Sequence, residues 1–362
     1  MELNVLNSDE QAVLALRTLY RQYGYLPYKM SRFEEYDLYV RNKDFLLSDE
    51  VITFSDRNGR LLALKPDVTL SIIKNAPDRP GVIQKVYYHE NVYRMDGATR
   101  TFKEIMQAGL ECVGDLGAYE IAEVVLLAAK SLQQIGRSFV LDLSHMGLIA
   151  SILDGSGLSD DGKQEALTYL RQKNAHELMD LCSRENVKPE QQMKLSALVS
   201  GGIAEIRAAL TRQAEWDAFR ELESICSILE QEGFGDSVRV DFSVGNDMKY
   251  YSGVVFKGYL EGIPVSVLSG GQYDKLLVKM GRSSRAIGFA VYADLLRRQD
   301  ALEQQYDVDT VLLHDGTADP AKLLAAAKEA GKEGSVLVCT ALPEGRRWRR
   351  VIHFEKGEAT AP

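Results

Sequence analysis

The residue types in this chain best suited to chemistry sit on short segments where polar side chains alternate with apolar ones. If Met106–Glu111 is a strand, Gln107, Gly109 and Glu111 share one face, and Met106, Ala108 and Leu110 share the other. An amide, an open floor and a carboxylate on one face suit a small cationic or zwitterionic ligand. A solvated outer face fits the same pattern, and patterning alone favours that plainer reading. Tyr251 offers a ring face with a hydroxyl at its tip, and Gly270 and Gly271 would let backbone approach a ligand closely. Strand alternation turns Tyr250 to the opposite face, as a core residue. Cys112, Cys182, Cys226 and Cys339 form no C-x-x-C pair, and the five histidines show no ligand spacing, so neither metal nor cofactor is expected.

The elements that must position these residues can be read along the chain. Residues 8–23 have apolar side chains at helical spacing, closed by Gly24. Strands are predicted at 51–54 and 61–64 around an Asn58-Gly59 turn, then a helix over 67–76. Two strands, 83–88 and 103–113, flank a polar loop that reads equally as a lid or a surface turn. An amphipathic helix covers 118–135 and a strand covers 138–143. From 146 to 233 the pattern is helical, with breaks near 155–162 and 201–202. Strands return at 238–243, 250–257 and 264–268, followed by a glycine turn. A polar linker precedes a tail of strand, helix, strand and strand at 309–313, 320–330, 335–339 and 350–354. Antiparallel strands interleaved with helices make the fold class α+β.

Several segments together resemble the catalytic core of class II aminoacyl-tRNA synthetases, and specifically the histidyl-tRNA synthetase family. They are ALKPDVT at 63–69, KVYYHENVYR at 85–94 continuing into IMQAGLECVG at 105–114, MKYYSGVVF at 248–256, SGGQYDKLL at 269–277 and AIGFA at 286–290. Any one is weak; five in register are not. The resemblance implies an antiparallel-sheet core formed by 1–145 and 236–298, a helical insertion at 146–235 and a small α/β remnant at 306–362. It also implies a histidine site. Residues matching Asp67, Thr69 and Gln107 hold the amino and carboxylate end, those matching Glu111 and Tyr251 address the imidazole, and Gly271 and Tyr273 belong to the same pocket. Arg94 matches the first of three arginines used in amino-acid activation.

The other two arginines are missing. Asn246 stands at the second, Leu295 at the third, and Lys249 replaces a family aspartate. The loop Asp96–Lys103 is short, Gln272 replaces a usual arginine, and Ser31 replaces a proline. Loss of one such transition-state contact costs roughly 2.7–4 kcal/mol of barrier. A chain that keeps an amino-acid pocket and loses its nucleotide chemistry resembles the regulatory subunits that pair with the short form of ATP phosphoribosyltransferase. The resemblance implies no catalysis by this chain, a catalytic partner subunit, histidine as allosteric ligand and self-association as a dimer. A divergent synthetase and a tRNA-binding paralogue are the alternatives, the latter pointing to Arg346–Arg350.

Composition bounds the rest. With 362 residues the chain suggests two or three units, and 45% hydrophobic and 26% charged residues describe an ordinary globular protein. The net charge of −9 argues against broad capture of nucleic acid. No apolar run approaches the ~18 residues of a membrane span, and the N-terminus lacks a signal pattern, which suggests the cytoplasm.

Overall fold

The computed structural model describes residues 6–43, 51–96, 99–136, 138–200, 202–244, 250–296, 306–355 and 358–360. The chain divides into two compact units, Ala12–Leu295 and a smaller one combining Met1–Gln11 with Leu296–Pro362.

The larger unit is built on an eight-stranded sheet. Its strands are β1 (Leu26–Pro27), β5 (Ile83–Met95), β6 (Phe102–Gly114), β7 (Phe139–His145), β8 (Val238–Val240), β9 (Val254–Leu260), β10 (Leu268–Gln272) and β11 (Arg285–Tyr292). They lie in the order β1-β5-β6-β11-β10-β9-β7-β8, antiparallel except where the short edge strands β1 and β8 join. The hairpin of β5 and β6 pairs Ile83 with Gly114 and Met95 with Phe102, so both strands run further into the polar stretch than expected. Polar residues such as Glu90 and Arg94 do not end a strand that keeps its ladder and solvates one face. The two strand ends are tied together: Asp96 N–H donates to Thr101 O at 2.9 Å, Arg100 N–H donates to Asp96 O at 2.8 Å, and Lys103 pairs with Asp96. Residues 97 and 98 lie outside the described residues.

The glycine turn expected after 264–268 is instead strand β10. Gly270 is paired on both sides, with Phe256 and Phe289, and a Cβ there would lie 2.4 Å from Gly288 O. The glycines serve close strand approach, not chain reversal.

Helix α1 (Ser8–Gln22) ends before Gly24 at φ 80°. Helix α2 (Tyr36–Arg41) and helix α3 (Thr69–Asn75) accompany a three-stranded sheet, β2 (Phe33–Glu35), β4 (Leu61–Leu64) and β3 (Thr53–Ser55). Helix α4 (Ala118–Ile135) buries Val124, Leu127, Ala128 and Leu132 against the back of the large sheet. Gly258 permits that approach, since a Cβ on it would lie 2.6 Å from Leu132.

Six helices then follow in series: α5 (Met146–Gly155), α6 (Asp160–Arg171), α7 (Ala175–Arg184), α8 (Pro189–Ser200), α9 (Ile203–Ala209) and α10 (Gln213–Gln231). Local capping sets their starts: Ser159 accepts Gly162 N–H, Asn174 accepts Glu177 N–H, and His145 Nδ1 accepts Leu148 N–H at 3.1 Å. Inside the bundle Lys194 and Glu215 are fully buried and paired at 2.8 Å, with Thr211 and Arg212 N–H also donating to Glu215. A buried ion pair needs such satisfaction of its remaining lone pairs. Helix α11 (Asp274–Lys279) connects β10 to β11.

The smaller unit holds β12 (Val308–His314), α12 (Pro320–Ala330), β13 (Val336–Cys339), β14 (Trp348–Glu355) and β15 (Glu358–Thr360), in sheet order β13-β12-β14-β15. Pro320 occupies the first turn of α12, and Asp319 caps the N–H groups of Ala321 and Lys322. Within the basic run, Arg347 pairs with Asp307 at 3.2 Å and Arg350 with Glu333 at 2.6 Å. Among the described residues no helix is long and apolar enough to cross a membrane.

Candidate functional site

The front face of the large sheet carries a recessed cavity that opens to solvent. Strand register builds its floor: Glu111 opposes Gly288, Gly109 opposes Ala290 and Tyr88, and Gln107 opposes Tyr292. Small residues in the middle rows leave the space that larger side chains would fill.

Glu111 is the deepest polar group, 2% exposed. Thr69 Oγ1 donates to its Oε1 at 2.7 Å, and the Tyr273 hydroxyl donates to its Oε2. Burial pushes its carboxyl up to about 8; the bonds from Tyr273 and Thr69 oppose that shift, and the nearby Asp67 charge adds to it. Gly288 makes the placement possible, because a Cβ there would lie 1.8 Å from Glu111 Oε2.

Asp67 sits at the entry to α3, where its Oδ1 accepts Leu70 N–H at 2.9 Å. Arg94 lies 3.7 Å from its Oδ2, and Arg94 Nε donates to Pro66 O at 2.6 Å. Burial raises the Asp67 carboxyl above its ordinary value, against the pull of Arg94 and the backbone N–H groups. Tyr250, Tyr251 and Tyr273 form an aromatic wall, with ring centroids 4.7 Å apart for the first pair and 5.8 Å for Tyr250 and Tyr273. At the other side the Ser269 and Tyr292 hydroxyls bond at 2.9 Å. The cavity thus offers a recessed carboxyl, an acidic–basic pair, a buried amide on Gln107 and an aromatic lid. Each is a partner for a small ligand that carries ammonium, carboxylate and a ring with N–H donors.

Seven of the eight residues singled out from sequence line this cavity: Asp67, Thr69, Arg94, Gln107, Glu111, Tyr251 and Tyr273. Gly271 does not; it lies beneath the Tyr251 ring, 2.8 Å from Cδ1 at the point a Cβ would occupy, while its neighbour Gly270 lines the wall. Tyr250 corrects a second expectation. It lines the cavity beside Tyr251, because 250–253 are irregular and β9 begins only at Val254, so strand alternation does not govern them.

Sequence reasoning missed Tyr88, Ser269, Gly288 and Tyr292. Tyr88 had a usable signal, since it stands six residues before Arg94 and therefore on the same strand face. The others required the β6–β11–β10 register, which only the fold supplies.

The end of β11 differs. Leu295 belongs to a short 3₁₀ turn that Asp294 fastens by accepting Met106 N–H at 2.7 Å. An alkyl side chain there cannot bind phosphate. Asn246 and Lys249 lie outside the described residues. No group of three His, Cys, Asp or Glu side chains among the described residues could hold a metal ion.

Comparison with known proteins gives the family. The family profile described as histidyl-tRNA synthetase matches residues 5–296. The chain is 30% identical over 297 residues to an ATP phosphoribosyltransferase regulatory subunit of Alkaliphilus metalliredigens, covering 78% of this chain and 74% of the relative. Among solved structures, an ATP phosphoribosyltransferase regulatory subunit/histidyl-tRNA synthetase of Bacillus halodurans superposes with a TM-score of 0.74 at 24% identity, covering 96% of this chain and 93% of that one. A chain of the ATP phosphoribosyl transferase complex of Thermotoga maritima superposes with a TM-score of 0.63 at 19% identity, covering 78% and 96%. The chain therefore belongs to the histidyl-tRNA synthetase family and, within it, to the ATP phosphoribosyltransferase regulatory subunits.

Proposed function

We propose that this chain is the non-catalytic regulatory subunit of a cytoplasmic ATP phosphoribosyltransferase, the first step of histidine biosynthesis. It is required for the activity of a short catalytic subunit and for feedback inhibition by histidine. The observation that carries the reading is Glu111, a buried carboxyl gripped by Thr69 and Tyr273 in a recessed cavity. In this reading the imidazole meets Glu111 and Tyr251, and the ammonium and carboxylate meet Asp67, Arg94, Thr69 and Gln107. Tyr273 fixes the Glu111 oxygen that the ring nitrogen does not use. The core of 1–145 and 236–298 holds the ligand, 146–235 is inserted into it, 306–362 is a small α/β unit, and two copies of the core associate.

Inhibition requires that histidine bind the inactive assembly more tightly than the active one, a coupling of typically 1–3 kcal/mol. The test is co-expression with a short ATP phosphoribosyltransferase subunit, followed by assay of ATP joined to phosphoribosyl pyrophosphate. The expected result is co-purification, activity only in the complex and inhibition by histidine. A complex that forms no product without a separate activator, or histidyl-adenylate made by this chain alone, would overturn the proposal.

A further inference from the structure

A second cleft, open to solvent, lies between the first turns of α4 and the middle of α10, and shares no lining residue with the Glu111 pocket. Its floor is apolar: Ile121 and Ile225 are 2% and 3% exposed. Its rim carries Arg220 and Glu221 from α10 and Arg285 from the start of β11. Arg285 is fixed in place, with Nε donating to Asp274 at 3.3 Å and Nη1 donating to Leu116 O at 3.0 Å. Such an anchored guanidinium loses little freedom on gripping a carboxylate. Glu221 is held below its ordinary value, first by His145, whose Nε2 lies 3.7 Å away, and also by the Arg285 charge. Glu221 Oε1 and His145 Nε2 are buried atoms without a hydrogen-bond partner among the described residues, a costly arrangement.

Two guanidiniums, each with one carboxylate neighbour (Asp217 at 3.7 Å from Arg220 and Asp274 at 3.3 Å from Arg285) and with further N–H donors to offer, together with the Glu221 carboxylate and an apolar floor, suit a zwitterion with a short hydrocarbon side chain. We propose that this cleft is a second ligand site, for a small aliphatic α-amino acid, with its carboxylate on Arg220 and Arg285, its ammonium on Glu221 and its side chain over Ile121 and Ile225. The aliphatic side chain separates this ligand from one recognised by Glu111, which requires an N–H donor.

The test is calorimetric titration of the full chain with L-leucine. The expected result is saturable binding with a dissociation constant on the order of 1 mM. Arg220→Met and Glu221→Gln each weaken it at least tenfold, Ala122→Leu abolishes it by filling the cleft, and Tyr251→Ala in the front pocket leaves it unchanged. Arg220 is exposed, so that variant folds even if Glu221→Gln disturbs the His145 contact. Absence of saturable heat, or binding lost in Tyr251→Ala and kept in Arg220→Met, would overturn the proposal without touching the histidine pocket.

Discussion

The Glu111 cavity and the turn at the end of β11 differ in kind. Around Glu111, charged and hydroxyl groups are buried and each is held by named partners: Thr69, Tyr273, Arg94 and the backbone at the start of α3. At the end of β11, Leu295 lies in a short turn that Asp294 fastens by accepting Met106 N–H. Burying unsatisfied polar groups is costly, so an abandoned binding pocket would be expected to fill with apolar side chains. This one has not. The contrast is between a cavity that keeps polar groups poised for a small ligand and a turn that offers an alkyl side chain at Leu295.

The comparison can be broken most severely at Gly288. Gly288→Ala places a Cβ 1.8 Å from Glu111 Oε2 and 2.5 Å from Leu110 O. Overpacking of this kind costs typically 1–3 kcal/mol, and the displaced carboxyl should abolish histidine binding. Denaturant midpoints and calorimetry together would read both effects; unchanged affinity would mean that Glu111 does not hold the ligand.

Glu111→Gln comes next. Above pH 8, where the Glu111 carboxyl is ionised, replacing this charged partner by an amide removes an interaction of about 1.5–3 kcal/mol, so histidine affinity should fall roughly 10- to 150-fold there. The same variant sharpens a pH prediction. The Glu111 carboxyl is raised from 4.5 to about 8, so its contribution favours the fold below pH 4.5 and is lost as pH rises towards 8. The unliganded protein should therefore lose stability across that window, and Glu111→Gln should flatten the slope in chemical denaturation. Tyr273→Phe has a smaller effect, about 1 kcal/mol in affinity, and moves the Glu111 transition to still higher pH by removing a bond that lowers it. Leu295→Arg is the smallest: histidine affinity should stay within ~0.5 kcal/mol, since the side chain does not line the cavity.

Much of this architecture was legible in sequence because it rests on local pattern. The α4 helix runs Ala118–Ile135 as its amphipathic pattern indicates, and α12 runs Pro320–Ala330 from its Asp-Pro start. What failed was context. Ser269-Gly270-Gly271 reads as a turn until two neighbouring strands explain why only small residues fit there. Tyr250 and Tyr251 read as alternating until they prove to precede the strand. Tyr88 was within reach through its parity with Arg94, whereas Gly288 matters only because register sets it against Glu111. The back cleft joins α4, α10 and β11 from distant parts of the chain, and no local pattern announces it.

The central claim is tested most directly by histidine inhibition of the reconstituted ATP phosphoribosyltransferase complex, with wild-type and Glu111→Gln subunits compared at equal basal activity. Above pH 8, where Glu111 is ionised, the account predicts that inhibition of Glu111→Gln complexes requires at least tenfold more histidine. Superimposable inhibition curves would contradict it, and would move the regulatory ligand away from this pocket.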